Sequence, residues 1–344
     1  MKLTPIGVDT AKNVFQVHHI NEKTGEIINK SLKRAKFLDY FAAQPPSLIG
    51  MEACSAAHHW ARQLQKMGHR VRLLSAQYVK AFNTGNKNDA ADAEAIWNAV
   101  QQCKKEVAVK TEEQQAMLAL HRMRSQLVKF RTAQMNCLRG LLAEYGEVFR
   151  AGQAALKKEF PAALERLSAR LPTKLIEVLR VQFEGLSELN ERIKGIERAL
   201  FAWRGEEVEV QRVSEVPGVG LLTSTAVVAT IGDGKVFRSG RGFSAWMGIA
   251  PKHVGSGGKK RMLGISKRGD VYLRTLFIHG ARSVVNQAKR RGGGSPWLKR
   301  LLERRPYNVA VVAVANKTAR TVWALLKYGR DYEEGYESKK APQG

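Results

Sequence analysis

The spacing of apolar residues changes character three times along this chain of 344 residues. In the first hundred, apolar positions come in short alternating runs cut by turn residues. Residues 4–9 and 12–20 read as strands, and "NEKTGE" as a turn into a third strand near 26–33. A helix follows at 35–43, carrying Phe37, Leu38, Tyr40 and Phe41. "PPSLIGMEA" is a short buried strand, 55–67 an amphipathic helix with Trp60 and Leu64, and "HRVRLL" another strand. "NKNDAADAEAIWNAVQQ" opens a further helix, with Asn88 as its N-cap. Three strands, a helix, then alternating strand and helix is an α/β order, and the ribonuclease-H-like fold is one that has it.

From about 111 to 205 the strand signal vanishes. Leu179, Leu186, Ile193 and Leu200 fall seven apart, and Leu175, Leu189 and Ile196 fill the interleaved seam, with Gln182 its polar member. Such an a/d pattern over more than three heptads asks for a partner helix. A second chain and the protein's own domain serve equally well. The third region, from "VSEVPGVG" at 213 to about 328, is crowded with glycine and basic residues, and "RRGGGSP" (290–296) reads as a mobile loop. After 329 the polar tail "GRDYEEGYESKKAPQG" reads as disordered.

Charge narrows the partner class. Lysine and arginine number 57 against 31 aspartates and glutamates, a formal net charge of +26. A surplus of that size draws in phosphate backbones through counterion release, which puts nucleic acid ahead of a membrane surface or a merely basic soluble scaffold. Cys54, Cys103 and Cys137 are too few and too scattered for a disulfide framework or zinc cluster, and suit a reducing cytoplasm. "MKLTPIGVD" has no signal-peptide core, and Val309 to Ala315 is too short to span a bilayer. A soluble, cytoplasmic, nucleoid-associated protein with no membrane contact is the expectation.

The first chemical constellation is acidic. Asp9 closes the first strand, Glu52 closes "SLIGME", and Asp89 and Asp92 lie at i and i+3 on one helical face. If the two strands are neighbours, four carboxylates meet where that helix packs on the sheet edge. Unpaired, they would be costly to bury. A pair of Mg²⁺ ions about 3.5–4 Å apart would make the cluster favourable and clamp both oxygens of a phosphoryl transfer. Taken singly, Asp9 also reads as a turn residue, and the helix acids as complements to the dipole. His58 and His59, on the helix after Glu52, suit packing or the surface better than the metal site.

The second constellation is basic. "EVPGVGLLTSTAVVATIGD" (215–233) reads as helix, glycine turn, helix. Its Gly218 and Gly220 present backbone N–H groups to a phosphate in helix-hairpin-helix fashion, or simply join two packed helices. Ser256 lies in the glycine loop "GSGGKKR" beside Lys259, Lys260 and Arg261, and "GISKRGD" adds Lys267 and Arg268. On chemistry alone this is a phosphate-binding loop (252–268) before it is a nucleophile, and Ser266 competes for either role.

"IGVDTAKNVFQV", "GMEACSAAHHWARQL" and "NKNDAADAEAI" resemble the metal-binding segments of the insertion-sequence one-ten family of transposases. "VPGVGLLTSTAVVATIGD", "FSAWMGIAPKHVGSGGKKRMLGISKRGDVYLRTLFIHGA" and "VAVANKTARTVWALL" resemble its second conserved region. Piv-type DNA invertases are relatives, and "RAKFLDYFA" with "NKNDAADAEAI" points to the insertion-sequence eleven-eleven branch. The resemblance covers about residues 4–328. It implies a RuvC-like Asp-Glu-Asp-Asp catalytic domain at 1–108, a helical coiled-coil region at 109–207, a mainly helical transposase domain with a catalytic serine at 208–330, and a tail at 331–344. The acidic quartet falls on Asp9, Glu52, Asp89 and Asp92, and the family serine on Ser256, where Gly255 replaces a serine found in many relatives. The implied activity is RNA-guided recombination of donor and target DNA. A structured bridge RNA would be the guide, a covalent phosphoserine–DNA link the intermediate, and a dimer or tetramer the working form. A hydrolytic RuvC-like nuclease or junction resolvase is the alternative, with Ser256 only binding DNA.

Overall fold

The computed structural model describes residues 3–83, 88–102, 106–256, 259–292 and 294–335, with backbone alone at 253, 256, 259 and 260. Cys103 and residues 336–344 of the tail lie outside the described residues. The chain forms two units, Met1–Glu113 with Ile231–Arg238, and Gln114–Thr230 with Ser239–Gly344.

The first unit is organised by a five-stranded sheet. Its strands are β1 (Pro5–Thr10), β2 (Val14–Ile20), β3 (Ile27–Lys33), β4 (Leu48–Glu52) and β5 (Arg70–Leu74), in the order β3-β2-β1-β4-β5. The first three pair antiparallel, while β4 runs parallel to both β1 and β5. Short turns suffice for the antiparallel strands, whereas each parallel pairing needs a helical crossover. Helices α1 (Phe37–Ala42) and α2 (Ala57–Lys66) supply them.

Period-two alternation sorts side chains into two layers. Ile6, Val8, Phe15, Val17, Ile49, Met51, Val71 and Leu73 pack with Phe37 and Phe41 of α1 and Trp60 and Leu64 of α2. The opposite face of β1 and β4 offers Gly7 and Gly50 to α4 (Asp89–Gln102), which follows the short α3 (Ala76–Val79). A Cβ on Gly7 would lie 2.2 Å from the carbonyl oxygen of Ala93 and 2.5 Å from the amide of Trp97; on Gly50 it would meet Val100 at 2.6 Å. The two glycines therefore let the helix lie directly on the strands. Leu74, Ile96, Ala99 and Val100 complete that second layer.

In the second unit, α5 (Glu112–Ala143), α6 (Gln153–Ser168) and α7 (Thr173–Glu206) divide the strand-free stretch. Arg124 pairs with Glu197 at 2.7 Å, Arg131 donates to Asn190 Oδ1 at 2.7 Å, and Gln134 donates to the Gln182 carbonyl. These pairings run in opposite directions along the two chains, so α5 and α7 are antiparallel. Leu179 and Leu186 are buried with Met135, Leu138 and Leu142 of α5 and Leu156, Phe160 and Leu164 of α6. Ile193 and Leu200 are buried as well. Of the two partners the heptads allowed, the chain itself covers this seam. Phe160 stacks on Phe183 at 4.1 Å, and truncating a ring so placed to alanine typically costs about 3–5 kcal/mol.

The rest of the unit is helical apart from one hairpin. Helices α8 (Val208–Ser214), α9 (Leu221–Ile231) and α10 (Gly240–Trp246) precede β6 (Pro251–Ser256) and β7 (Lys259–Ile265), and α11 (Val271–Arg291), α12 (Pro296–Arg304) and α13 (Tyr307–Tyr328) follow. The basic stretch expected as a loop at 252–268 is thus largely a two-stranded antiparallel sheet. Its "HV" and "RML" segments carry enough β propensity to pair across the glycines. Helix α13 is long and apolar enough to cross a membrane by length and composition alone. Here it is a core helix, with Ala310, Val311, Val314, Ala315 and Val322 buried and α10, α11 and α12 packed along it.

Candidate active site

The acidic residues are gathered by strand parity and helix direction. Val8 pairs with Met51 in the parallel register, so Asp9 and Glu52 occupy equivalent positions one residue further along adjacent strands. Both share a face with Gly7 and Gly50, the face on which α4 lies. Helix α4 passes Gly7 at Ala93 and Trp97, and the Trp97 indole then donates to the Pro5 carbonyl at 3.1 Å. It therefore runs antiparallel to β1, and its N-terminal turn, with Asp89 and Asp92, lies toward Asp9. That turn begins at Asn88, whose Oδ1 accepts from the Ala91 amide at 2.8 Å, in keeping with its reading as the cap.

Electrostatics registers the convergence. The Asp9 carboxyl is held above the usual carboxylate range, first by burial and then by the negative charges of Asp92, Asp89 and Glu52. The Thr10 amide, hydrogen-bonded to it, pulls the other way. Asn83 donates its side-chain amide to Asp92 Oδ1 at 2.6 Å and so fixes that carboxylate. Among the described residues, no group of three or more His, Cys, Asp or Glu is already arranged around a point where an ion could sit. The donor set is nevertheless all hard oxygen, its members repel one another, and that chemistry fits a divalent cation.

The histidines after Glu52 are occupied or turned outward. His58 accepts from the Lys110 amide through Nδ1 at 3.2 Å, and His59 is exposed with its ring edge against Trp60. Sequence reasoning passed over Gly7, Gly50 and Asn83. The two glycines did leave a signal, each standing two residues before an acid and hence on its face.

The basic constellation belongs to the second unit. Across the hairpin, Ser256 pairs with Lys259, Gly255 with Lys260 and Val254 with Arg261. Positions 254, 256, 259 and 261 therefore lie on one face of the ribbon and 255 and 260 on the other. The side chains of Ser256, Lys259 and Lys260 lie outside the described residues.

Beneath the hairpin the backbone is tightly clasped. A Cβ on Gly248 would stand 2.0 Å from the Arg268 carbonyl oxygen, and one on Gly269 1.7 Å from that of Trp246. Buried Arg274 donates to the carbonyls of Met247 and Arg268 at 2.9 and 3.3 Å. Lys267 is held in the left-handed region at φ 55°, its amide on the Gly248 carbonyl, and Lys267 and Arg268 are both exposed. Ser266 Oγ accepts from the Arg268 amide at 3.4 Å, which ties it to the turn. In the glycine turn, Gly218 (φ 86°) lies backbone to backbone against Gly280 of α11, a close approach that a side chain would block. Gly220 is open to solvent at the start of α9.

Known proteins share both halves. A transposase model, DEDD_Tnp_IS110, matches residues 6–147, and one described as "Transposase IS116/IS110/IS902 family" matches 210–293. A probable family 20 transposase of Pseudomonas aeruginosa is 45% identical over 97% of this chain and 100% of its own length. The transposase for insertion sequence element IS1111A of Coxiella burnetii is 41% identical over 96% of this chain and 91% of its own. The chain belongs to the IS110 family of transposases. The transposase for IS1328 of Yersinia enterocolitica is a further relative, 36% identical over 95% of the chain and 98% of its own length. The transposase described here is accordingly an enzyme of DNA transposition. Its acidic half lies within the first match and its hairpin within the second.

Proposed function

We propose that this transposase inserts and excises its element as an RNA-guided recombinase, through a serine nucleophile in a RuvC-like setting. The observation that carries the acidic half is the seating of α4 on Gly7 and Gly50, which turns Asp89 and Asp92 toward Asp9 and Glu52. These four residues would hold Mg²⁺, two ions in a full site. When bound, the cations supply charge stabilisation to the scissile phosphate and its leaving oxygen.

Ser256 supplies the nucleophile. Its oxygen forms the bond to phosphorus as a P–O bond of the DNA strand breaks, and the hydroxyl proton leaves to a base or to water. One strand end becomes a phosphoserine ester and the other a free hydroxyl. The reverse attack by a hydroxyl of the partner strand restores the phosphodiester without an external energy source. Arg261, on the same ribbon face by register, and Lys267 and Arg268 at the ribbon's base supply positive charge for the phosphate. The clasp beneath the hairpin keeps that base rigid. A bridge RNA would choose the donor and target DNA, and a homo-oligomer would bring Ser256 and the carboxylates to one phosphate.

A suicide DNA substrate with Mg²⁺ and the element's RNA tests this reading. A denaturation-resistant protein–DNA adduct should map to Ser256, vanish in Ser256→Ala, and fail to form in Asp9→Asn, Asp92→Asn. Cleavage that survives Ser256→Ala with no adduct on any serine would favour the hydrolytic nuclease. Full strand exchange by the double aspartate variant would remove the metal site.

A further inference from the structure

Residues 282–320 hold ten lysines and arginines against a single carboxylate, Glu303. Arg282, Lys289, Arg290 and Arg291 belong to α11, Lys299, Arg300 and Arg304 to α12, Arg305 to the linker, and Lys317 and Arg320 to α13. All ten are exposed, and among the described residues none of them forms an ion pair with a carboxylate. The fold fixes the helices that carry them. Helix α11 closes on a left-handed Gly292, α12 opens on a Ser295 cap that accepts from the Leu298 amide, and Leu298 and Leu301 anchor α12 to the core. Along α11, Ser283, Asn286, Gln287, Arg290 and Arg291 line a shallow groove of about 350 Å³. Asn286 accepts from the Tyr307 hydroxyl at 2.9 Å, which leaves its amide hydrogens for an outside acceptor.

The aromatic rings here decide the kind of polyanion. Single strands and unpaired RNA bases are held by stacking on free ring faces. Trp297 and Tyr307 are half-buried, and Lys317 and Lys289 sit over their rings at 4.6 and 5.2 Å. With one face of each ring under a lysine and the rings half-buried, charge is what the surface chiefly offers. Positioned charge suits a regular phosphate array rather than base readout. We infer that the basic surface of α11 and α12 docks the backbone of duplex DNA, with residues other than the carboxylates and Ser256, and is indifferent to sequence.

The test is equilibrium binding of the full chain to a 30-base-pair duplex of arbitrary sequence, in EDTA, across a salt series. Without metal no strand is cut, so the result does not depend on the role of Ser256 or the aspartates. The variant Arg290→Gln, Arg291→Gln, Arg300→Gln, Arg304→Gln should flatten the log–log salt slope by about 3–4 and weaken binding roughly tenfold or more near 0.1 M salt. Its circular dichroism melt should match the wild type. A charge-matched control, Lys157→Gln, Lys174→Gln, Arg180→Gln, Arg198→Gln, should leave the slope close to the wild-type value. An unchanged slope in the first variant, or an equal loss in the control, would overturn the inference. So would a larger loss for single-stranded DNA or duplex RNA of the same length than for duplex DNA.

Discussion

The C-terminal end of the central strand β1, which carries Asp9, and the helix junction that carries His121 draw an ionisable group partly or wholly out of water, and they treat it in opposite ways. His121, on α5, is 2% exposed, with both ring nitrogens engaged. Thr225 gives its single hydroxyl proton to the Leu221 carbonyl at 2.6 Å, so it must accept from His121 Nε2–H, 3.1 Å away. Nδ1 then accepts from the Tyr272 hydroxyl at 2.9 Å. Burial, with Arg124 adding repulsion, lowers the imidazole to about 4, and it stays neutral. Asp9 is treated otherwise. Three more carboxylates repel its charge, and among the described residues the Thr10 amide is what favours it. A relay that satisfies itself belongs to the scaffold. Carboxylates that repel one another favour a proton or a cation among them, which is the ground for the metal set proposed above.

The contrast can be broken most severely at its foundation. Gly7→Ala places a methyl 2.2 Å from the Ala93 carbonyl, so α4 must lift from the sheet and carry Asp89 and Asp92 away. We expect a loss of about 3 kcal/mol or more in chemical denaturation. Gly264→Ala, with open space around it, should change stability by no more than about 0.5 kcal/mol. Equal behaviour of the two variants would mean that α4 is not seated on the glycines.

The His121 relay should show as a pH slope. Because the folded imidazole titrates near 4 rather than 6.5, the unfolded chain binds the extra proton first. Stability is then fully present above about pH 6.5 and falls by up to about 3 kcal/mol as pH drops toward 4. His121→Phe should lose this component, and denaturation curves of the two proteins between pH 7 and pH 4.5 would show it. Parallel curves would place the histidine outside the buried relay.

The smallest effect sharpens the other side. Asp9→Asn removes a repelled charge, so its melting temperature at pH 7 should rise slightly even as activity is lost. For a carboxyl raised in the folded state, native stability is greatest at low pH and declines as pH climbs through the raised value. The advantage of the variant should therefore fade toward the ordinary carboxylate range. Mg²⁺ should raise the melting temperature of the wild type and leave the variant nearly unmoved; equal shifts would argue against a cation among these acids.

Much of the acidic half was legible because strands obey a period of two. The strands themselves follow from that period, and the shared helical face of Asp89 and Asp92 from the i, i+3 spacing on α4, whereas the pairing of β1 with β4 could only be assumed until the sheet was seen. What escaped were residues whose meaning is tertiary. Gly7 and Gly50 matter through the helix that lies on them, and Asn83 through a bond to Asp92. The partner of the α7 seam was equally hidden, since α5 presents His121, Arg124, Arg131 and Gln134 alongside its leucines. The hairpin was obscured by glycine and lysine, residues that strands disfavour, so its pairing was overlooked while its chemistry was visible.

The pairing of Ser256 with Lys259 also sets an arithmetic for the ribbon. Side-chain direction in a strand is odd or even, so a single-residue insertion or deletion in β6 would turn position 256 to the other face, away from 261, while two residues gained or lost together would restore it. One irregularity already lies between Pro251 and His253, at the base, where the clasp can absorb it. Length changes in this hairpin across related elements should therefore come in pairs, or be compensated by a bulge, and frame-preserving variation at the DNA level would still be filtered by parity in the protein.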